Sequence, residues 1–277
     1  VTGASSGIGL EAADMLARAG SRVLMVARDP ERGVRAVDAV ARHASSEPEL
    51  QLADFGRFRD VRDLAERIAR SEPHIDVLVN NAGLLSPTRT ITQDGNELTF
   101  QVNHLSHFLL TNLLLETLEA APRARVVTVS SSTHHFAFRG IRFSDLTFEK
   151  GYEGFAAYTH SKLANIMFAY ELARRTEAGR VTSNVLNPGL VGTHFGMSER
   201  GVVKAFYTVA RPFILTAAQG ADSVVHCATA TELDGVTGTY FQKTRPRSSS
   251  RVSYDRLQWR ELWETSAALT SLDRVAD

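Results

Sequence analysis

Segments with the pattern of strands and segments with the pattern of helices alternate along almost the whole chain. Short apolar runs, such as residues 22–27 and 125–129, have the length and composition of buried strands. Helix-patterned stretches, such as residues 58–69 and 155–175, lie between them with short connections. This alternation predicts a parallel sheet with helices on both faces. We therefore expect a doubly wound, Rossmann-type α/β fold in a single domain that spans residues 1–277.

The first strand of this pattern ends where the chain begins. Val1 has the character of a last strand residue, and the glycine-rich segment Thr2-Gly3-Ala4-Ser5-Ser6-Gly7-Ile8-Gly9 follows it directly. We expect the first strand to be truncated before Val1, so targeting signals upstream cannot be judged. The glycines lie between a strand end and a helix start, where free backbone N–H groups and the positive helix end attract a pyrophosphate. The turn therefore predicts a dinucleotide site.

The residues that follow the second strand predict which dinucleotide is bound. A carboxylate about 20 residues after the glycines usually meets a cofactor that lacks a 2′-phosphate. Here the strand ends at Ala27 and is followed by Arg28, with Arg32 four residues further on. A guanidinium can bind a 2′-phosphate through paired hydrogen bonds. Asp29 precedes Pro30 and is expected to cap the next helix instead. We therefore predict NADP rather than NAD.

Tyr158 and Lys162 are four residues apart in a helix-patterned run and therefore share one helix face. A nearby ammonium favours phenolate and lowers a phenol pKa that is ordinarily about 10. The pair could therefore act as an acid/base near neutral pH. Taken alone, the spacing is weak evidence, because tyrosine and lysine fall four apart on many helices and a half-buried tyrosine beside a solvated lysine is the more common case.

Composition excludes several classes of function. Lys plus Arg and Asp plus Glu both total 31, so no overall charge points to nucleic acid or an anionic membrane. The single cysteine, Cys227, excludes an internal disulfide and a cysteine-rich zinc site, and it suits a reducing, cytoplasmic location. No run approaches the roughly 18 apolar residues of a membrane span. The chain has two histidine pairs, His104 with His107 and His134 with His135. We interpret them as helix-surface and loop residues without a metal role.

Taken in order, the motifs resemble those of the short-chain dehydrogenase/reductase family along nearly the whole chain. The motifs are Thr2-Gly3-x-x-x-Gly7-x-Gly9, Asn80-Asn81-Ala82-Gly83, Ser131, Tyr158-x-x-x-Lys162 and Asn187-Pro188-Gly189. A second set of short motifs is similar to those of one branch of this family, the retinol dehydrogenases and WW-domain oxidoreductases. It consists of Ala27-Arg28-Asp29, Gln101-Val102-Asn103-His104-Leu105, His160-Ser161-Lys162-Leu163-Ala164-Asn165 and Leu262-Trp263-Glu264.

The resemblance implies a set of four catalytic residues. Tyr158 would be the acid in carbonyl reduction and the base in alcohol oxidation. Lys162 would lower the pKa of Tyr158 and bind the nicotinamide ribose. Ser131 would hold the substrate oxygen, and Asn103 would position a water chain that relays protons to Lys162. The neighbouring serines that remain alternatives to Ser131 are Ser130 and Ser132.

The resemblance also assigns the cofactor site. Asp54 and the backbone of Phe55 would contact adenine, and the Asn81-Ala82-Gly83 segment would line the adenosine ribose. Residues 188–193 would hold the nicotinamide amide. All the predicted cofactor-binding residues are Thr2, Gly3, Ser5, Ser6, Gly7, Ile8, Gly9, Arg28, Arg32, Asp54, Phe55, Asn81, Ala82, Gly83, Tyr158, Lys162, Pro188, Gly189, Val191 and Thr193.

The predicted activity is NADP-dependent hydride transfer that interconverts an apolar ketone or aldehyde and an alcohol, with a lean toward reduction. Aromatic residues in a predicted lid, residues 189–216, suit an apolar substrate. Two alternatives remain open. One is a regulatory protein that binds NADP(H) without turnover; the other is an interaction protein that uses the loop 245–253, expected to be solvated, and the closing helix 255–269. The resemblance also suggests a homodimer that pairs through helices 95–118 and 155–175.

Overall fold

The computed structural model of the protein describes residues 1–176, 180–189 and 215–272. Its strands are β1 Leu24–Ala27, β2 Glu49–Leu52, β3 Val77–Asn80, β4 Ala124–Val129, β5 Val181–Asn187, β6 Tyr240–Gln242 and β7 Arg245–Pro246. Its α-helices are α1 Gly7–Arg18, α2 Pro30–Ala41, α3 Phe58–Ser71, α4 Leu98–Phe100, α5 Ser106–Leu113, α6 Leu115–Glu119, α7 Gly154–Arg175, α8 Ala217–Thr229 and α9 Arg256–Thr270. The strands and helices alternate as the sequence predicts.

Parallel pairing joins the strands into two sections of sheet. β1 pairs with β2, and β3, β4, β5 and β6 pair in that order, with the short β7 antiparallel at the end. The first two residues of the chain lie between the sections. Thr2 N–H donates to the Val79 carbonyl at 3.0 Å, and Val26 N–H donates to the Val1 carbonyl at 2.9 Å. The prediction of a doubly wound, Rossmann-type parallel sheet is confirmed.

The central strands are buried on both faces, and β1, β3 and β4 are mostly apolar, as such burial requires. One apolar cluster joins the sheet to α3, α5, α7 and α9, and includes Leu64, Phe108 and Met167. The other joins the opposite face to α1, α2 and α8, and includes Leu16 and Val224. Helix cover on both faces leaves the carboxyl ends of the parallel strands as the edge where side chains from several strands can meet.

The helix predicted over residues 95–118 is interrupted in the structure. It begins at Leu98, passes through a π-helical turn at Gln101–Leu105, continues as α5 and breaks again at Leu114 before α6. The prediction of one regular helix is therefore wrong. A π turn inserts one extra residue into the helical repeat, and such turns are frequent at functional sites.

The segment of residues 245–253, predicted to be a solvated loop, is exposed over residues 245–248 and at Arg251 but is attached to the protein through its serines. It forms β7 and leads into a 3₁₀ turn at Arg251–Tyr254, and its serines Ser249, Ser250 and Ser253 are buried. The Ser249 Oγ lies 2.8 Å from the Tyr170 Oη and 2.6 Å from the Ser253 Oγ. The prediction therefore holds for residues 245–248 and Arg251 and is wrong for the three serines. The hydroxyls of Ser249 and Ser253 hydrogen-bond each other, which makes the burial of these two side chains inexpensive.

Helix α9 covers the helices that were predicted to pair between two copies of the chain. The Trp263 ring packs against Phe108, with centroids 4.9 Å apart, and stacks on Phe168 at 6.0 Å. The Ser266 Oγ lies 2.9 Å from the His104 Nε2. Helix α9 therefore covers part of the outer faces of α5 and α7. A homodimer through these two helices stays a prediction.

Candidate functional site

The glycine-rich turn brings the start of the chain against the end of β3. Gly3 has φ 67° and Gly7 has φ 57°, a region that favours glycine. A Cβ on Gly3 would lie 2.9 Å from the Ala82 Cα, and one on Gly9 would overlap the Asn81 amide nitrogen and the Gly3 carbonyl oxygen. These glycines are therefore required by close approach of the turn to the Asn81-Ala82 segment as well as by backbone conformation.

Thr2 holds these two segments together through its hydroxyl. The Thr2 Oγ1 accepts hydrogen bonds from the backbone N–H groups of Asn81 and Ala82, each at 2.9 Å. The Asn81 side-chain amide donates to the Thr2 carbonyl at 2.8 Å. Helix α1 then begins at Gly7, and its N-cap residue, Ser6, makes no side-chain hydrogen bond to it. The first-turn N–H groups are thus not capped by Ser6, which fits a pyrophosphate at this position.

Asn103 lies in the π turn and is fully buried. Its Oδ1 accepts from the Leu84 N–H at 2.7 Å, and its Nδ2 donates to the Leu84 carbonyl at 2.9 Å. The same Nδ2 donates to the Ser161 Oγ at 2.9 Å, and that hydroxyl donates to the Tyr158 carbonyl at 2.7 Å. Asn103 therefore connects the loop after β3 to helix α7, which carries Tyr158 and Lys162.

Lys162 points from α7 toward the carboxyl end of β4. Its side chain is buried and its Nζ donates to the Val129 carbonyl at 3.1 Å. A Cβ on Gly83 would lie 3.6 Å from that Nζ and 3.2 Å from the Asn103 Oδ1, so Gly83 lies between the two side chains. Burial lowers the pKa of Lys162 to about 8. The group is thus still an ammonium at pH 7, although a destabilised one.

Tyr158 and Lys162 lie together as the four-residue spacing predicts. The Lys162 Nζ is 5.5 Å from the centre of the Tyr158 ring, and Tyr158 is half-buried. Phe155, which precedes Tyr158 by one helical turn, contacts the ring of Phe136 at 5.5 Å. Phe136 and Phe138 follow Ser131 on one loop and are 66% and 72% exposed. Apolar rings therefore flank this part of the site.

The three serines after β4 have different environments. The Ser130 hydroxyl is buried and donates to the Lys162 carbonyl at 2.7 Å. Ser131 is half-buried and its Oγ accepts from the Thr133 N–H at 3.2 Å, whereas Ser132 is exposed. Because the Ser130 proton is engaged by the helix backbone, Ser131 has the hydroxyl better suited to donate to a substrate oxygen.

The end of β1 presents two arginines and no free carboxylate. Ala27 is buried, and Arg28 and Arg32 are exposed. The Asp29 carboxylate accepts from the Arg32 N–H at 2.9 Å, which confirms the prediction that it caps α2. Two exposed guanidinium side chains therefore lie just after β1, while the carboxylate of Asp29 is engaged by the helix.

Of the other predicted cofactor residues, some follow the strands β2 and β5, and the rest lie outside the described residues. The Asp54 Oδ1 accepts from the Gly56 N–H at 2.9 Å, and the Phe55 carbonyl accepts from the Ser106 hydroxyl at 2.6 Å. Pro188 and Gly189 follow β5, where Gly189 has φ 99° and its N–H donates to the Asn187 side chain at 3.1 Å. Most of the predicted lid lies outside the described residues, including Val191 and Thr193.

Three histidines that we interpreted as surface or loop residues are buried. His104 and His107 are each 1% exposed, and burial lowers the pKa of both to about 3. His134 is also buried, and its pKa falls to about 4 for the same reason, whereas its neighbour His135 is exposed. The interpretation of His104 and His107 as helix-surface residues was wrong, whereas His134 lies in the loop after β4 as predicted but is buried there. The apolar residues that surround His104 and His107 in the sequence were a signal of burial that could have been used.

Neither a metal centre nor a membrane span is found in the described parts of the chain. Residues 1–176, 180–189 and 215–272 contain no cluster of three or more His, Cys, Asp or Glu side chains that could hold a metal ion. Within the same ranges, no helix combines the length and the apolar character needed to cross a bilayer. The site therefore consists of the glycine turn, the Asn81–Gly83 segment and the side chains around Lys162.

Comparison with known proteins agrees with this arrangement. The family model described as short chain dehydrogenase matches residues 1–201. Human retinol dehydrogenase 14 is 37% identical, over 98% of this chain and 85% of its own length. A protein of Streptomyces sp. (strain C5), named as a daunorubicin C-13 ketoreductase, is 42% identical over 97% of this chain and 90% of its own.

Solved structures give the same result. An uncharacterized protein from Mycobacterium Paratuberculosis superposes with a TM-score of 0.78 and 32% identity, over 98% of this chain and 91% of its own. A short chain dehydrogenase from Escherichia coli CFT073, solved in complex with NADPH, superposes with a TM-score of 0.70 and 27% identity. That match covers 88% of this chain and 95% of the other.

Proposed function

This chain belongs to the short chain dehydrogenase family, and we propose that it uses NADP to interconvert an apolar ketone or aldehyde and its alcohol. The family assignment makes it an NAD(P)-dependent oxidoreductase that acts on CH–OH groups. The observation that carries the finer proposal is the buried Lys162 ammonium, which lies beside the Tyr158 ring, Asn103 and Gly83.

In this proposal, four side chains take part in transferring one proton to or from the substrate oxygen. A bound nicotinamide supplies the hydride in reduction and accepts it in oxidation. Tyr158 gives its phenolic proton to the carbonyl oxygen in reduction and takes a proton from the alcohol in oxidation. The Lys162 ammonium favours the phenolate electrostatically and hydrogen-bonds the ribose. Ser131 donates a hydrogen bond to the substrate oxygen, and Asn103 positions the water chain that returns protons to Lys162.

The arginines at the end of β1 support NADP over NAD. Arg28 and Arg32 are exposed just after β1, and Asp29 is engaged as a helix cap. Hydrogen bonds to a charged phosphate contribute about 1.5–3 kcal/mol each, which is roughly 10- to 150-fold in affinity. We expect Arg28→Ala to weaken NADPH binding by at least about tenfold and to leave NADH binding nearly unchanged.

A matched control for that experiment is Arg35, which lies in α2 seven residues after Arg28. Arg35 is exposed and pairs with Glu31 across the helix surface at 3.7 Å. Arg35→Ala removes the same charge at a nearby exposed position without removing a predicted phosphate contact. Equal losses in the Arg28 and Arg35 variants, or an unchanged preference between NADPH and NADH in Arg28→Ala, would contradict the NADP assignment.

Exposed aromatic rings beside the acid/base pair support an apolar substrate. Phe136 and Phe138 stand on the loop that begins at Ser131, and Phe155 lies one turn before Tyr158. The similar proteins named as a retinol dehydrogenase and a daunorubicin ketoreductase suggest ring-containing carbonyl and alcohol compounds as the first substrates to test. Phe136→Ser should then raise KM for such compounds more than it changes kcat.

Turnover of NADPH with a panel of apolar aldehydes and ketones tests the proposal directly. We expect Tyr158→Phe to lower kcat by roughly 100- to 10,000-fold while NADPH affinity, measured by fluorescence titration, stays nearly constant. Tyr152→Phe is the matched control, because its hydroxyl donates to the Ser86 carbonyl outside the proposed site. Activity near wild type in Tyr158→Phe would refute the acid/base role. NADPH binding without turnover on any carbonyl would favour a regulatory protein instead.

A further inference from the structure

His107 connects the glycine turn to Asn103. It lies in the first turn of α5, four residues after Asn103, and its ring is buried against the edge of Phe55 at 5.0 Å. The ring Nδ1 is 3.0 Å from the Asn103 carbonyl oxygen, and the ring Nε2 is 2.9 Å from the Thr2 Oγ1. One side chain therefore contacts a predicted catalytic residue and the residue that organises the cofactor turn.

These contacts define the protonation of the ring. A carbonyl oxygen can only accept, so the Nδ1 must carry the proton that it shares with Asn103. Burial keeps the ring neutral, since it lowers the pKa of His107 to about 3. The Nε2 then has a free lone pair and accepts from the Thr2 hydroxyl. His107 is thus held as the Nδ1–H tautomer.

The Thr2 hydroxyl needs an acceptor of this kind. Both of its lone pairs receive backbone N–H groups, from Asn81 and Ala82. Its single proton can go to the His107 Nε2 at 2.9 Å or to the Val79 carbonyl at 3.2 Å. The shorter contact favours His107, which orients the hydroxyl so that its lone pairs face the two N–H groups.

We propose that His107 is a positioning residue that couples the cofactor turn to Asn103. Through Thr2 it holds the Asn81-Ala82 segment, and through the Asn103 carbonyl it holds the π turn that places Asn103 beside Lys162. The Nε2 contact to Thr2 then affects cofactor affinity, and the Nδ1 contact to Asn103 affects the position of the residue that relays protons to Lys162. The inference rests on the proposed function, because it gives Asn103 and the glycine turn their roles.

Two substitutions separate the two ends of the ring. Asn at position 107 can place an amide N–H near the former Nδ1 and keep the Asn103 contact, but it is too short to reach Thr2. Gln can place its amide oxygen near the former Nε2 and keep the Thr2 contact. We expect His107→Asn to weaken NADPH binding by about tenfold with kcat nearly retained. We expect His107→Gln to lower kcat by about tenfold with NADPH affinity nearly retained.

His104→Leu is the matched control for loss of a buried histidine. His104 is equally buried in the same helical run, but its Nε2 contacts Ser266 of α9 instead of Thr2. We expect His104→Leu to lower the thermal stability without changing kcat and NADPH affinity by different factors. In the wild-type protein, long-range ¹H–¹⁵N spectra should show a neutral Nδ1–H ring whose signals are lost in His107→Gln.

Several results would overturn the proposal. These are equal changes of kcat and NADPH affinity in the Asn and Gln variants, an Nε2–H tautomer, or failure of both variants to fold when His104→Leu folds. Failure of the proposed function has a different signature, because it appears in the wild-type protein as absent NADPH binding or absent turnover. Wild-type activity with unchanged Asn and Gln variants refutes the coupling alone.

Discussion

Replacing Lys162 by Met should abolish turnover and at the same time stabilise the cofactor-free protein. The side chain is 4% exposed, and burial lowers its pKa from 10.5 to about 8. That difference corresponds to about 3 kcal/mol of unfavourable free energy for keeping the buried group charged. Met has a similar length and carries no charge, so the folded variant does not contain this unfavourable free energy.

The net gain is smaller because one hydrogen bond is lost. The Lys162 Nζ donates to the Val129 carbonyl, and a hydrogen bond from a charged donor contributes at least about 1.5 kcal/mol. The carbonyl keeps a partner, since the Asn165 side-chain amide also donates to it at 3.2 Å. We therefore expect Lys162→Met to raise the free energy of unfolding at pH 7 by up to about 1.5 kcal/mol, or Tm by up to roughly 5 °C.

The pH dependence gives the prediction its sign. The folded pKa is about 8 and the unfolded value is 10.5, so the unfolded chain binds more protons between these pH values. Wild-type stability from this group therefore rises as the pH increases through that window. Below pH 8 the cost of the ammonium is fully present, and above pH 10.5 it has disappeared. The advantage of Lys162→Met should shrink over this range and vanish or reverse at its upper end.

Urea unfolding of the cofactor-free protein, followed by tryptophan fluorescence at several pH values, measures this difference. Comparing two proteins at each pH cancels the titration of groups that they share. Lys150→Met is the control, because Lys150 is exposed in a loop and its replacement should change stability by less than about 0.5 kcal/mol at any pH. A Lys162→Met variant less stable than wild type at pH 7, or an advantage independent of pH, would refute the reasoning.

Three further predictions concern the serine run, the glycine turn and the last helix. Ser131→Ala should lower kcat by about 100-fold, whereas Ser130→Ala should lower stability by about 1 kcal/mol and keep most activity; steady-state kinetics with thermal melts would contradict this if the losses were reversed. Gly9→Ala should weaken NADPH binding by about tenfold and lower Tm, because its Cβ overlaps the Gly3 carbonyl; wild-type affinity in titrations would refute it. Trp263→Ala should cost about 3 kcal/mol in urea unfolding, since the ring packs on Phe108 and Phe168, while the control Leu257→Ala, at a residue 75% exposed, should change little; equal effects would argue against this packing.

The architecture was predictable because its signals are local. Apolar runs of strand length, glycine at a strand end and four-residue spacing on a helix depend on neighbours in the sequence. The juxtaposition of Tyr158 with Lys162 and the helix cap by Asp29 follow from such short separations. The sheet topology follows from the alternation together with the right-handed crossover.

Features that depend on distant partners were not predictable. The partner of His107, Thr2, is 105 residues away, and His134 accepts from the Ser250 N–H across 116 residues. A histidine or serine is expected at the surface unless such partners are known, because only satisfied polar groups are cheaply buried. The π turn at Gln101–Leu105 also escaped, since one extra residue hardly disturbs a helical pattern of apolar side chains.

The residues that match the family model are fewer than the residues that form the core, because β6 and the last two helices lie beyond the match. The family match covers residues 1–201 and contains Asn103, Ser131, Tyr158 and Lys162. Yet β6, α8 and α9 lie beyond it, where α8 packs against α1 and α9 packs against α7. A fragment of the matched residues would retain the four predicted catalytic residues but would lose the Leu262-Trp263-Glu264 motif, the strand next to β5 and the cover over Phe108 and Phe168. Exchange of C-terminal segments between relatives would therefore replace part of the core beneath the catalytic helices, even when every motif is kept.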